Sequence, residues 1–188
     1  MSGCAPLTVD LNNLSMNATS FDWNYGDGTF SQDAAATHQH VFNNNSDIPL
    51  VRTVSLATNN VYGCSSIFHV NLEIYPQIEV SFTQPADVCS PATVQFTNTS
   101  VNVSAYSWNL GNGLQSVAQN PTGVYENITA NDMDYLVTLT GASIFGCVAS
   151  VSQTFTVMTT PVALFELSEL AACAPVEVVV SNQTVNAD

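Results

Sequence analysis

The sequence predicts an all-β protein, and three observations support this fold class. First, apolar and polar residues alternate with a period of two, as in Leu7–Asn12 and Thr93–Thr97, which is typical of strands that bury one face. Second, clusters of Asn, Gly and Ser separate these segments, and such clusters favour turns. Third, no segment of useful length shows the 3.6-residue periodicity of an amphipathic helix.

The same elements recur along the chain in one order. The tripeptide Cys-x-Pro begins at Cys4, Cys89 and Cys173, which are about 85 and about 84 residues apart, and a fixed spacing of this size indicates tandem repeats. Other landmarks recur at nearly the same spacing: Trp23 and Trp108, Gly26-Asp27-Gly28 and Gly111-Asn112-Gly113, Gly63-Cys64 and Gly146-Cys147. A unit of this length has the usual size of a small β-sandwich domain.

The spacing predicts three repeats. Repeat 1 spans 1–76 and lacks its first strand, because only three residues precede Cys4. Repeat 2 spans 77–161 and is complete. Repeat 3 spans 162–188 and is truncated shortly after the apolar run 176–180. We therefore expect the chain to be a stretch of a longer array of such repeats.

Composition excludes several classes of partner. The 188 residues include 15 Asp and Glu but a single basic residue, Arg52, which gives a formal net charge of −14. Nucleic acid is excluded as a partner, because binding it requires Lys and Arg to neutralise phosphates. Membrane insertion is not expected either, because no apolar run approaches the roughly 20 residues that span a bilayer.

The residues around the first tryptophan resemble a known family. The segment 23–31, Trp-Asn-Tyr-Gly-Asp-Gly-Thr-Phe-Ser, is similar to the signature of PKD (polycystic kidney disease) domains. His40-Val41-Phe42 resembles the His-x-Tyr element of that family, and 135–140 resembles its Tyr-x-Val-x-Leu-Thr strand. Repeat 2 departs from the pattern, with Asn112 for the central Asp and Gly123 where the His would fall. The resemblance implies tandem immunoglobulin-like sandwiches of seven strands, as in surface proteins of gliding, type-nine-secreting bacteria.

Within this fold the signature residues are expected to be structural. The two tryptophans occupy the slot in which such sandwiches bury one large aromatic residue. The glycines allow positive φ in a tight turn, and the Asp or Asn between them caps backbone N–H groups. The predicted structural residues are Trp23, Trp108, Gly26, Asp27, Gly28, Gly111, Asn112 and Gly113.

No enzyme site, cofactor site or specific metal site is predicted. The sequence has no Lys and no Gly-x-Ser-x-Gly motif, which argues against Schiff-base and serine-hydrolase chemistry. His38 and His40 would share one face of a strand, but a metal needs three or four ligands and no third is evident. A weak calcium site in an acidic loop remains open, because carboxylates and carbonyls suit that ion. Seven Asn-x-Ser/Thr sequons are interpreted as Asn- and Thr-rich strand ends rather than glycan sites: Asn13, Asn17, Asn44, Asn98, Asn102, Asn127 and Asn182.

The cysteines allow two pairing schemes within the sandwich fold that the resemblance implies. Each repeat could close on itself, as Cys4–Cys64 and Cys89–Cys147. Strand order favours a bond between neighbouring repeats, Cys4–Cys147, because the Cys-x-Pro and Gly-Cys elements lie at opposite poles of one sandwich. A disulfide requires its Cα atoms within about 7 Å, which is far less than the length of a strand. The partners of Cys64, Cys89 and Cys173 would then lie outside this chain.

The sequence thus predicts a non-catalytic segment of a long extracellular array that acts as a stalk or filament of a cell-surface adhesin. Its partners would be neighbouring repeats, and other copies or a surface glycan or protein remain open. The alternative is an accessory module that binds the substrate of a secreted hydrolase. Five cysteines fit an oxidising, extracellular location under either hypothesis.

Overall fold

The computed structural model of the chain describes residues 1–167, 175 and 177–185. These residues form 18 strands and no helix, so the all-β immunoglobulin-like fold class is confirmed. Among them there is no helix long and apolar enough to cross a bilayer. Cys173 and part of repeat 3 lie outside the described residues.

The chain divides into two compact units whose limits differ from those of the repeats. Unit 1 contains repeat 1 together with two short segments of repeat 2: Met1–Val80, Ser100–Ala105 and Gly141–Ala149. Unit 2 contains the remaining parts of repeat 2 and the described part of repeat 3: Ser81–Thr99, Tyr106–Thr140 and Ser150–Asp188.

Repeat 1 is a sandwich of two sheets. Its strands are β1 (Ser2–Cys4), β2 (Leu7–Asn12), β3 (Ser20–Asn24), β4 (Phe30–Ser31), β5 (Thr37–Phe42), β6 (Leu50–Asn59) and β7 (Ser65–Tyr75). One sheet has the order β1-β7-β6-β3-β4, and β2 pairs with β5 in the other. Strand β1 is parallel to β7, whereas the β6–β7 and β2–β5 pairs are antiparallel.

Repeat 2 has the same plan with an additional strand at its start. Its strands are β8 (Phe82–Thr83), β9 (Val88–Cys89), β10 (Ala92–Gln95), β11 (Thr97–Asn98), β12 (Ala105–Asn109), β13 (Gln115–Ser116), β14 (Thr122–Tyr125), β15 (Met133–Ala142) and β16 (Val148–Met158). The large sheet has the order β13-β12-β15-β16-β9, while β10 pairs with β14 and β8 with β11. Repeat 2 has nine strands where repeat 1 has seven, because β8 is added and because the segment that corresponds to β2 is divided into β10 and β11 on either side of Phe96.

Repeat 3 begins with the same pairing as repeat 2. Strand β17 (Phe165–Leu167) pairs with β18 (Val180–Asn182), with Phe165 opposite Asn182. In repeat 2, Phe82 lies opposite Asn98 in the β8–β11 pair. The opening strand therefore carries a phenylalanine at the same register in both repeats.

The core of each repeat lies between its sheets, where the alternating residues bury their apolar face. In repeat 1 the core combines Val9 of β2 and Phe42 of β5 with residues of the large sheet: Trp23, Val54, Leu56, Leu72 and Ile74. In repeat 2 the most deeply buried hydrophobic side chains are Val94, Phe96, Trp108, Tyr125, Val137, Leu139 and Val157. The period-two pattern is thus satisfied by burial of one face of each strand.

Candidate functional site

The two tryptophans occupy equivalent places in β3 and β12, and both are buried. Trp108 packs against Phe82 and Phe96, with ring centroids 5.1 and 6.0 Å away. Its indole N–H donates to the carbonyl of Ala118 at 2.9 Å. In contrast, the buried indole N–H of Trp23 has no hydrogen-bond partner in the part of the chain that the structure describes. The environment of the aromatic slot therefore differs between the repeats.

The Gly-Asp/Asn-Gly segments form the same turn in both repeats. Their four glycines all have positive φ, between 74° and 96°. Asp27 Oδ1 accepts from the N–H of Thr29 at 2.9 Å, and Asn112 Oδ1 accepts from the N–H of Leu114 at 3.1 Å. A side-chain oxygen at this place closes the turn whether or not it carries charge.

A second side-chain acceptor, an asparagine in both repeats, supports each turn and is not part of the predicted set of structural residues. Asn24 Oδ1 accepts from the N–H of Gly26 at 2.8 Å, and Asn109 Oδ1 accepts from the N–H of Gly111 at 3.0 Å. The recurrence of Asn immediately after each tryptophan was the signal available in the sequence.

Around the turn of repeat 1, a cluster of aromatic and hydrogen-bonded side chains involves both histidines of β5. The ring of His40 stacks on Tyr25 with centroids 3.9 Å apart, and its Nε2 lies 2.7 Å from Asp27 Oδ2. His38 Nε2 forms a hydrogen bond of 2.9 Å with the hydroxyl of Tyr25. Partial burial acts to raise the pKa of Asp27, but hydrogen bonds from Thr29 and His40 outweigh it and lower this pKa to about 2. The Nε2 atoms of His38 and His40 both form hydrogen bonds within repeat 1. We therefore interpret the cluster as part of the packing of this repeat.

Repeat 2 fills the corresponding space with one tyrosine and a glycine. The hydroxyl of Tyr125 donates to the carbonyl of Leu110 at 2.7 Å. A Cβ on Gly123 would lie 2.8 Å from the Tyr125 ring, so glycine is needed where repeat 1 carries a histidine. Burial of Tyr125, followed by its interaction with Tyr135, raises its pKa to about 12. The phenol therefore stays neutral at ordinary pH.

No metal site emerges in the described residues. They contain no group of three or more His, Cys, Asp and Glu side chains that could hold an ion. The acidic pair Asp132 and Asp134 is engaged with the end of β16: Asp132 accepts from the N–H of Thr159, and Asp134 accepts from the hydroxyl of Thr156.

A disulfide joins Cys4 and Cys147 within unit 1, the pairing that strand order favours, with Cα atoms 5.7 Å apart. Close to it, the rings of Tyr75 and Phe145 stack with centroids 5.0 Å apart. Asn102, which has a φ of 58°, donates from Nδ2 to the carbonyl of Gln77 at 2.8 Å. These contacts connect repeat 1 to the two segments of repeat 2 that belong to unit 1.

The thiols of Cys64 and Cys89 are free and exposed, although their backbone surroundings match those of the bonded pair. Cys64 lies in the β6–β7 turn as Cys147 lies in the β15–β16 turn, and both carbonyls accept a turn hydrogen bond. Cys89 pairs with β16 as Cys4 pairs with β7, in parallel orientation. Each free cysteine is therefore the counterpart of one bonded cysteine.

Two of the sequons hold buried asparagines with the same four hydrogen bonds. Asn44 Nδ2 donates to the carbonyls of Ile48 and Ile74, and its Oδ1 accepts from the N–H and hydroxyl of Ser46. Asn127 makes the equivalent bonds, whose partners are Asn131, Val157 and Thr129. Because both amide hydrogens are used and the side chains are buried, these two residues are structural. Their recurrence at equivalent places was the signal in the sequence.

An apolar groove opens into unit 1. It encloses about 500 Å³. It lies between β2 and the large sheet and is lined mainly by Leu11, Trp23, Leu56, Phe68, Val70 and Leu72. Phe68 is 70% exposed there, which is unusual for a phenylalanine beside a sandwich core.

Comparison with known proteins gives structural likeness alone. No family model matches the chain, and no curated protein matches it. The PKD1 domain of Vibrio anguillarum Epp is similar at 22% identity over 44% of this chain and 95% of that domain, with a TM-score of 0.37. The PKD1 domain of the Vibrio cholerae metalloprotease PrtV shows 30% identity over 43% of this chain and 95% of that domain, with a TM-score of 0.36. The similarity to the protocadherin γB4 extracellular domain extends over 100% of this chain and 37% of that domain, at 12% identity and a TM-score of 0.44.

Proposed function

We propose that this chain is a non-catalytic, extracellular stretch of a tandem repeat array and acts as a structural stalk of a cell-surface adhesin. The observation that carries the proposal is the Cys4–Cys147 disulfide. It links the Cys-x-Pro element of repeat 1 to the Gly-Cys element of repeat 2, and both elements recur in the chain.

The disulfide also supports the location. Structural disulfides persist in oxidising compartments, whereas cytosolic thiols are kept reduced. A bond that closes a loop with a sequence separation of 143 residues is expected to add about 2–4 kcal/mol to stability by restricting the unfolded chain. A stalk requires this kind of resistance to unfolding and proteolysis. The net charge of −14 keeps such an array soluble.

Limited proteolysis of the full chain tests the proposal. The Cys4→Ser/Cys147→Ser double variant should be cleaved faster than the wild type near the connection between repeats, around residues 76–81. The matched control is Cys64→Ser/Cys89→Ser, which removes the two free thiols and should leave the rate unchanged. Equal rates for all three proteins, or a Cys4–Cys64 peptide in a non-reducing digest, would overturn the proposal.

The accessory-module alternative draws on a different feature, namely exposed aromatic residues. Tyr62 is 87% exposed and Phe30 is 70% exposed, and exposed rings can stack on sugars. Phe145 is instead stacked on Tyr75. Binding to immobilised polysaccharides that is lost in Tyr62→Ala or Phe30→Ala would favour this function over the stalk.

A further inference from the structure

The disulfide of unit 1 joins two cysteines that are far apart in the chain. Cys4 and Cys147 have a sequence separation of 143, although Cys64 and Cys89 are both nearer to Cys4 in the sequence. Loop closure alone favours the nearer partners slightly, because its entropic cost rises slowly with loop length. The preference for Cys147 therefore comes from contacts that hold it beside Cys4.

The turns that carry Cys147 and Cys64 do not supply this preference, because they are built in the same way. Oγ of Ser143 accepts from the N–H of Cys147 at 3.2 Å, and Oδ1 of Asn60 accepts from the N–H of Cys64 at 3.0 Å. The same two oxygens also accept from the N–H of the aromatic residue that lies two positions before each cysteine. The local backbone therefore presents both cysteines alike.

The surroundings of the aromatic residue differ between the two turns. Phe145 stacks on Tyr75 with ring centroids 5.0 Å apart and planes 13° apart, whereas its counterpart Tyr62 is 87% exposed. Tyr75 lies opposite Cys4 in the parallel β1–β7 pair, and Phe145 lies two residues before Cys147. The stacked rings therefore belong to the two backbone segments that flank the disulfide.

A second set of contacts fixes the segment that follows β7. The N–H of Gln77 donates to the carbonyl of Asn44 at 2.9 Å, and its carbonyl accepts from Nδ2 of Asn102 at 2.8 Å. Glu79 and Val101 then exchange two backbone hydrogen bonds of 3.1 and 2.8 Å. None of these contacts involves a sulfur atom, so they can form while the thiols are reduced.

The chain just before the Cys147 turn is also closely packed within unit 1. A Cβ on Gly141 would lie 2.8 Å from Cγ1 of Val103 and 2.9 Å from Cγ2 of Val80. Cys147 itself is only 3% exposed, and its Cα lies 5.7 Å from that of Cys4. The approach of the two cysteines is thus part of a packed arrangement.

We propose that the Tyr75–Phe145 ring stack and the side-chain hydrogen bond of Asn102 form before the disulfide and select Cys147 as the partner of Cys4. The two rings bring the cysteine-bearing segments together, and the asparagine holds the chain that follows the first ring. These three side chains are therefore positioning residues for the oxidation. Because they act before the bond forms, their role does not depend on whether the array is a stalk.

The oxidation itself needs only a small disulfide oxidant such as oxidised glutathione. The thiolate of either cysteine attacks the oxidant, forms a mixed disulfide and releases one glutathione thiolate. The thiolate of the other cysteine then attacks the protein sulfur of the mixed disulfide and releases the second glutathione. The two protein thiols lose two electrons and two protons, and one glutathione disulfide becomes two glutathione thiols. Which protein thiolate makes the second attack depends on which one is held nearby.

Reoxidation of the reduced full chain in a glutathione redox buffer, without denaturant, tests the proposal. Peptide mapping after acid quenching gives the share of each disulfide, and the equilibrium with glutathione gives the effective concentration of the Cys4 and Cys147 thiols. Phe145→Ser should lower this effective concentration about 2- to 10-fold, the range expected for one aromatic pair. Asn102→Gly should lower it by a similar factor. Both variants should raise the share of mispaired and glutathione-capped cysteines.

The chain offers a matched control for each variant. Tyr62→Ser changes the equivalent aromatic residue of the β6–β7 turn, and Asn17→Gly changes the other asparagine with a φ of 58°. Both should reoxidise as the wild type does. Phe145→Tyr keeps the ring and should restore the pairing that Phe145→Ser loses. Urea denaturation of Phe145→Ser in a Cys4→Ser/Cys147→Ser background measures any general loss of stability separately from the choice of partner.

Three results would overturn the proposal. The first is a wild-type effective concentration and wild-type pairing in both Phe145→Ser and Asn102→Gly, even if these variants are less stable. The second is an equal loss of correct pairing in the Tyr62→Ser control. The third is a Phe145→Tyr variant that mispairs as Phe145→Ser does. None of these results bears on the stalk, because the proteolysis experiment compares proteins with and without the completed bond.

Discussion

Repeats 1 and 2 share their strand order, their turns and their buried asparagine, but they differ around one aromatic slot. In repeat 2, Phe82 packs edge-on against Trp108, and β11 pairs with β8. In repeat 1, β2 stays paired with β5, and Trp23 lines an open groove. The comparison teaches that β8 covers, in repeat 2, an aromatic slot that no described strand covers in repeat 1.

A second difference concerns the residues beside the slot. Repeat 1 stacks Tyr25 on His40 and joins that histidine to Asp27, whereas repeat 2 uses Tyr125 over Gly123 with the neutral Asn112. The contact between an aspartate and a histidine is therefore particular to repeat 1.

The largest expected effect is the loss of stability on replacing a tryptophan, and it should differ between Trp108 and Trp23. Trp108→Ala should lower the free energy of unfolding by about 3–5 kcal/mol, because a large cavity forms in a closed core. Trp23→Ala should cost less, since part of its surface already faces the groove. Urea denaturation with hydrogen exchange to assign each unit would measure both values. Equal losses would mean that the open groove does not weaken the core of repeat 1.

The buried asparagines should behave alike in both repeats. Asn127→Asp removes two donors and leaves the carbonyls of Asn131 and Val157 unpaired beside a buried carboxyl group, which should cost about 2–4 kcal/mol. Asn44→Asp should cost a similar amount. Asn13→Asp is the control, because the side chain of Asn13 accepts one hydrogen bond, from the N–H of Ser15, and an Asp side chain can accept it too. A small loss of stability in Asn44→Asp with a large loss in Asn127→Asp would show that the two asparagines do not have equivalent roles.

Replacing the first glycine of each turn by alanine should destabilise the fold more than replacing the second, and this order should be the same in both repeats. In Gly113→Ala the new Cβ has open space around it. The variant should lower the free energy of unfolding by only about 1–2 kcal/mol, which is the cost of holding alanine in the left-handed conformation. Gly111→Ala should cost more, because its Cβ would lie 2.5 Å from the carbonyl oxygen of Leu136. Gly28→Ala and Gly26→Ala should repeat this order, with Thr53 as the obstructing residue. Thermal unfolding of the four variants would show whether the turns are equivalent.

The smallest effect is expected at Asp27. Asp27→Asn keeps the acceptor for Thr29 and changes only the partly exposed contact with His40, so the cost at neutral pH should be below about 1 kcal/mol. Because the pKa of Asp27 is lowered to about 2 in the folded chain, its stabilising effect is present above its ordinary pKa and is lost as the pH falls toward 2.

Denaturation of Asp27→Asn and the wild type at several acidic pH values would check this dependence. Asp33→Asn, in an exposed loop where Asp33 accepts from the N–H of Ala35, serves as the control. A difference between wild type and Asp27→Asn that grew as the pH fell would contradict the prediction.

Much of the architecture could be predicted from the sequence, because it depends on local or repeated patterns. Alternation predicts the strands, glycines with a short polar residue predict the turns, and recurrence predicts the repeats. The structural roles of Asn44 and Asn127 could not be predicted in this way. Each sits in an Asn-x-Ser/Thr triplet that is typical of a surface loop, and its burial depends on the carbonyls of Ile74 and Val157, which are 30 residues away in each case.

The sequence by itself therefore determined the all-β class, the two buried tryptophans and the glycine turns, since each depends on residues close together in the chain. Only the tertiary structure decided which of the two cysteine pairings forms and which asparagines are buried. These features depend on contacts between distant segments, and their energies come from burial and from satisfying hydrogen bonds that no local pattern reveals.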